Sequence, residues 1–163
     1  MAKKMKISSL LTALAAILGV VAIITLFVPA IGWKNLDGTF KGMDVVFGCK
    51  GKGTEISTLN FSFMNLLTYI LVLAGTVLSL LNVLVKKPSK LFSLIAAVAF
   101  LVAGIFFFCT LSFTSFNDVL TTLPGMFGKD IKSAFELAAG SIVGGVLSIL
   151  SAICAASPFF LKK

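Results

Sequence analysis

The chain has 163 residues, 58% of them hydrophobic, with a mean hydropathy of +1.10 and a formal charge of +8. Soluble domains are roughly 45–50% apolar even when Gly is counted, so this composition excludes an ordinary soluble domain and points to a membrane protein. All fourteen basic residues are Lys and there is no His, which removes most acid–base and phosphate-clamp arrangements and is the usage expected of an AT-rich, bacterial coding sequence.

Lys3, Lys4 and Lys6 precede the first apolar run, about 8–30. A basic start, an apolar run and Val28-Pro29-Ala30 resemble a secretory signal, but a signal core is about 7–15 residues long. This run is longer and reads as a retained span. Three more runs of spanning length follow, at about 61–85, 91–113 and 134–161. Each satisfies the requirement of about 20 apolar residues to cross roughly 30 Å of hydrocarbon. The predicted fold is therefore an all-α membrane protein, a single four-transmembrane-helix bundle over residues 1–163. The only charge within these runs is Glu136, near the start of the fourth.

Between the first two runs lies a loop at 31–60, and between the last two a loop at 114–133. In the first, Asp37-Gly38 is a turn dipeptide. The stretch "TFKGMDVVFGC" is rich in β-branched and aromatic residues, and "EISTLNFSF" alternates late, with Leu59, Phe61 and Phe63 on one side. This predicts a small β-hairpin-like first extracellular loop standing on the bundle. The second loop has a Pro124-Gly125 turn and carries Phe116, Leu120, Leu123, Met126 and Phe127. Apolar residues there mean a cap on the first loop, a dip into headgroups or a partner surface.

The charges are sorted along the chain. Lys3, Lys4, Lys6, Lys86, Lys87, Lys90, Lys162 and Lys163 have no acid near them, so all of the +8 falls on one face. The other six Lys lie in or beside the two longer loops with all six acids and sum to zero. Positive residues of short loops stay cytoplasmic, which predicts an integral plasma membrane protein with both termini inside and the longer loops outside. Eight Lys beside anionic headgroups add attraction to membrane lipids. The basic balance is thus a topology signal and does not point to nucleic acid.

Chemistry is sparse. No span carries a mid-membrane ionisable residue, the default mark of a proton relay or ion pathway. Asn65 and Asn82 read as interhelical hydrogen-bond partners. A Ser or Thr nucleophile without a base is not credible, so no enzyme, cofactor, metal or small-molecule substrate is predicted. Cys109 and Cys154 read as small packing residues. Cys49 is alone in the longer loops and is either a free thiol or an intersubunit bridge. "VFGC" is too far past the first apolar run to be a lipoprotein box.

The fourth run poses a packing question. On a helical wheel Gly140, Ser141, Gly144, Gly145, Ser148, Ser151, Ala152, Ala155 and Ala156 share an arc of about 160°, and the bulky Ile, Val and Leu residues hold the rest. Small residues let backbones come close, and such packing drives association in lipid. The smooth side, with Gly140, Gly144, Ser148, Ala152 and Ala156 along it, packs either on the other three spans or on another copy. Weaker small faces recur in span one (Thr12, Ala15, Ala16, Gly19, Ala22), span two (Thr68, Gly75, Ser79, Asn82) and span three (Ser93, Ala96, Ala97, Ala103, Gly104).

Four spans, cytoplasmic termini and a long first outer loop with β character resemble the claudin-type tetraspan group. In that group a Trp early in the first loop precedes a second Trp and a pair of Cys that tie the loop sheet. Trp33 and Cys49 match the first Trp and one Cys, while the second Trp and second Cys are missing. The resemblance implies a non-catalytic structural protein that self-associates laterally and through its outer loops as a homo-oligomer. Trp33, Phe47, Cys49, Phe116, Met126 and Phe127 are the candidate outer-loop contacts. The alternative is a small channel or transporter subunit, or an accessory subunit of another membrane complex.

Overall fold

The computed structural model describes residues 7–34, 37–50, 57–85, 89–117 and 131–160. Four helices dominate: α1 (Ile7–Ile24), α3 (Phe63–Leu84), α4 (Lys90–Phe108) and α6 (Ala139–Ala155). Each lies in a helical segment apolar and long enough to cross a membrane. The protein is a four-helix membrane bundle. α1 lies beside α3 and α6, and α4 lies beside the same two, so the four helices form a square in chain order. Shorter helices accompany them: α2 (Gly42–Phe47), α5 (Thr110–Phe113) and α7 (Ser157–Phe160).

Each long helix turns its small residues inward. Thr12, Ala15, Ala16, Gly19 and Ala22 are the buried residues of α1. Gly140, Ser141, Gly144, Gly145, Ser148, Ser151, Ala152 and Ala155 are those of α6. The bulky residues face out: Ile17, Leu73, Val98, Val143 and Ile153 are all exposed. This inside-out arrangement is what lipid demands, because acyl chains solvate Leu and Ile while close backbone packing holds the helices together. Two aromatic rings fill the space the small residues leave. Phe100 is fully buried between Gly19 and Gly75, and Phe107 is 1% exposed beside Gly144.

At one end of the bundle stands a cap of two three-stranded antiparallel sheets. The first runs β2 (Thr39–Lys41), β1 (Pro29–Trp33), β6 (Phe135–Leu137). The second runs β3 (Cys49–Lys50), β4 (Ser57–Asn60), β5 (Ser115–Phe116). The β3–β4 pair is the hairpin expected of the first loop, with Cys49 opposite Leu59.

Three features depart from the sequence reading. "TFKGMDVVFGC" is not one strand: it divides into β2, the helix α2 and β3. Pro29–Trp33 is a strand, so span one ends in a tight turn at Thr25–Phe27 rather than running to residue 30. Phe135–Leu137 pairs with β1, so the fourth span starts at Ala139 and Glu136 lies exposed on a strand outside it. Each loop thus contributes to both sheets, and the cap is one unit rather than a hairpin with a lid.

Candidate interaction surfaces

The smooth side of α6 is occupied within the chain. A Cβ on Gly140 would sit 2.6 Å from the Pro29 carbonyl oxygen, so this glycine exists for close approach to the turn after span one. Beside it the Ser141 hydroxyl donates to the Ala30 carbonyl at 2.8 Å, and the Ala138 N–H donates to the same carbonyl at 2.9 Å. One turn on, Gly144 meets the Phe107 ring and Gly145 the Phe108 ring. Ser148 and Ala152 are buried, and Ala156 is half-buried at the far end. These residues are spent on α1, α4 and the chain after span one.

Most polar groups inside the bundle are held locally, while the buried Ser79, Ser148 and Ser157 hydroxyls have no hydrogen-bond partner. Thr12, Thr68 and Thr76 donate to the carbonyls four residues back at 2.8, 3.0 and 2.7 Å, a habit of hydroxyls in helices that consumes their donor. Asn82 joins two spans: its Nδ2 donates to Ser93 Oγ at 2.7 Å, and its Oδ1 accepts the Ser89 N–H at 2.7 Å. It therefore caps α4 from α3. Asn65, 2% exposed, donates weakly to Thr114 Oγ1 at 3.5 Å, and its Oδ1 has no partner. The crevice it lines with Gly42, Val45, Thr68, Tyr69 and Thr110 holds about 190 Å³ of interatomic space and is too narrow to seat a water molecule. Among the described residues no cluster of His, Cys, Asp or Glu is placed to hold a metal.

The cap has its own core. Ala30, Ile31, Val45, Leu59, Phe116, Ile131 and Phe135 are buried together. Phe135 is the hub, with ring centroids 4.1 Å from Trp33, 4.8 Å from Phe116 and 6.1 Å from Phe40. Trp33 and Phe116, expected as contacts for other molecules, thus pack inward on a residue from the far end of the chain. Cys49 is a free, half-buried thiol at the edge of this core. Burial, and next the Asp44 carboxylate, raise its pKa, against a smaller lowering by a hydrogen bond to the Leu59 backbone. Phe47 alone of the described loop candidates is largely exposed, at 55%. Met126 and Phe127 lie outside the described residues.

Sequence reasoning missed Phe135 and Gly42. Phe135 was absorbed into an apolar run, and its only signal was the charged neighbour Glu136. Gly42 brings α2 against span one, where a Cβ would lie 2.9 Å from both the Cα and the carbonyl oxygen of Leu26. The fold defines an integral membrane protein of the four-span, tetraspan class. No family model and no curated protein sequence matches this chain.

Proposed function

We propose that this is a non-catalytic, structural tetraspan protein that acts through its cap and associates with further copies of itself. The observation that carries the reading is the contrast between a bundle packed shut with uncharged groups and a firmly seated cap. Phe100 and Phe107 fill the interior, and the buried threonine hydroxyls bond to carbonyls three or four residues back along the chain. Such an interior favours a scaffold over a conduit, since ion pathways are marked by intramembrane ionisable groups. The Lys asymmetry supports a cap outside the plasma membrane and cytoplasmic termini.

The small-residue side of α6 is occupied within the chain, so we place self-association on the cap. Its six Lys and six acids cancel, and neighbouring caps carry no net repulsion. The eight remaining Lys would gather over anionic headgroups on the other side. Topology, the β-rich first loop and Trp33 support a claudin-type relationship, with two differences: the cap sequence holds no second Trp and offers Cys49 no second Cys. The test is the mass of gently extracted protein in detergent and in nanodiscs. Multiples of 17.2 kDa are expected above the carrier. A strictly monomeric particle at micromolar concentration in both would sink the assembly reading in favour of an accessory subunit. Reproducible ion flux in liposomes, abolished by Asn65→Leu, would instead favour a channel.

A further inference from the structure

The helix α2 is only six residues long, yet its position is fixed at both ends. The Gly42 N–H donates to the Val28 carbonyl at 3.1 Å, one residue beyond the last helical turn of span one. The Val46 carbonyl accepts the Ser62 N–H at 2.9 Å, one residue before span two begins. α2 therefore bridges the points where spans one and two leave the membrane. Its inner face, Gly42, Val45 and Val46, is buried. Its outer face carries Met43, 39% exposed, and Phe47, 55% exposed, one helical turn apart.

That outer face does not stand alone. Phe27 at the end of span one is 61% exposed, Phe63 and Met64 in the first turn of span two are 62% and 44% exposed, and Phe61 between cap and span is 51% exposed. Phe27, Phe63 and Met64 belong to segments whose exposed sides face lipid. α2 packs against the end of span one and against span two, so Met43 and Phe47 stand beside these lipid-facing ends, at the depth where aromatic residues concentrate in membrane proteins. Lys41, exposed, stands just before the helix, where a long cationic side chain reaches headgroup phosphates while its stem stays in apolar surroundings.

We propose that α2 is an interfacial foot, which seats Met43 and Phe47 at the headgroup–acyl boundary of the leaflet on the cap side. An apolar helical face buries about 5–10 Å into that boundary. The foot would hold the cap at a fixed height and tilt over the bilayer. It also assigns Phe47 to lipid rather than to another protein copy.

Nitroxide labels on single cysteines at Met43, Phe47, Thr39 and Phe63, with Cys49, Cys109 and Cys154 replaced, test this in nanodiscs. Collision with oxygen reports lipid and collision with a nickel chelate reports water. The expected result is that the oxygen-to-nickel ratio at 43 and 47 matches that at 63 and exceeds that at 39. A ratio matching residue 39 would place the helix in water and overturn the proposal. Low collision with both agents would overturn it as well. Dipolar broadening that disappears on dilution with unlabelled protein would then name a second copy as the occupant. Phe47→Trp with the native cysteines kept provides an independent measure. Its emission, compared with that of the parent containing only Trp33, should gain a component quenched by lipids brominated near the carbonyls. Quenching no different from the parent's would overturn the proposal without any cysteine replacement.

Discussion

Gly144→Ala adds one methyl group at a close contact between α6 and α4. That carbon would stand 2.8, 2.9 and 3.0 Å from three atoms of the Phe107 ring. Taking about 3.5 Å as the ordinary carbon–carbon separation, the ring must retreat by roughly 0.5–0.7 Å. It has little room to do so, because Phe107 is 1% exposed and its ring lies edge-on to Tyr69 at 5.2 Å between centroids. Overpacking of this kind costs about 1–3 kcal/mol. At about 2–4 °C per kcal/mol for a chain of this size, thermal unfolding in detergent should fall by several degrees. Val146→Leu, on the exposed side of the same helix, adds one methylene toward lipid and should leave the midpoint unchanged. The decisive measurement is the double-mutant cycle. Phe107→Leu is destabilising by itself, but it removes Cε1 and Cζ, the two ring atoms nearest the methyl that Gly144→Ala adds. The second substitution should then be much cheaper, with a coupling of about 0.5–3 kcal/mol. Equal midpoints for Gly144→Ala and Val146→Leu, or additive effects in the cycle, would refute the claim that this glycine seats the Phe107 ring.

Four further outcomes are expected. Alkylation of Cys49 should lag behind an exposed thiol at neutral pH and accelerate only at a pH above the ordinary thiol value; Asp44→Asn, which removes the second cause of the raised pKa, should speed it at fixed pH. Because the folded thiol holds its proton more tightly than the unfolded one, the stability linked to it is full below about pH 8.5 and declines as pH rises toward the folded value, which pH-dependent unfolding against Cys49→Ser would reveal. Gly48→Ala forces a side chain into φ +83 and within 2.6 Å of the Leu59 carbonyl oxygen, a glycine-only region costing about 1–3 kcal/mol; Trp33 fluorescence should report loosening of the cap before the bundle unfolds. A single Cys at Ser115, in a background without the native cysteines, should react with an impermeant reagent on intact cells, and one at Ser89 only after permeabilisation; the opposite pattern would invert the orientation.

The bundle was legible because lipid leaves a plain signature: spans are long, and only Gly, Ala, Ser and Thr allow backbones to approach. Gly19, Gly75, Gly104 and Gly144 each mark a place where a side chain from another helix comes in. The cap was harder. Pro29–Trp33 and Phe135–Leu137 are short apolar runs adjoining true helices, and periodicity alone does not separate a buried strand from more helix. Pro29 was a clue, since the residue before a proline avoids the helical region. Val45, Val46 and Phe47 favour strands by propensity, yet they form α2 because Gly42 lets the chain dock on Leu26 and Asp44 accepts the Lys41 N–H at 2.9 Å at the helix start. Propensity of this kind yields to packing. Nothing local announces that residue 31 pairs with residue 137.

That long pairing explains why the two loops behave as one body. β1 follows span one directly, and β6 leads directly into span four, so joining them ties adjacent helices at the membrane surface. β5 continues from span three through α5, and β4 leads into span two, so the second sheet ties the other adjacent pair. Ser62 reinforces it, its hydroxyl donating to the Phe113 carbonyl at 2.6 Å. Spans one and four are thus clamped by one sheet and spans two and three by the other. Phe135 and Phe116 join the two sheets through their rings. A load on the cap would therefore pass to all four helices, not to one hairpin. The proposed scaffold role would need this property, which a flexible loop dangling from two spans would lack. It also makes Phe135→Ala a sharper probe of assembly than any surface change. The substitution uncouples the sheets while leaving the lipid-facing sides intact. An oligomer built on the cap should then dissociate although the bundle still extracts as a folded particle. An oligomer that persists in that variant would have to be held by the spans.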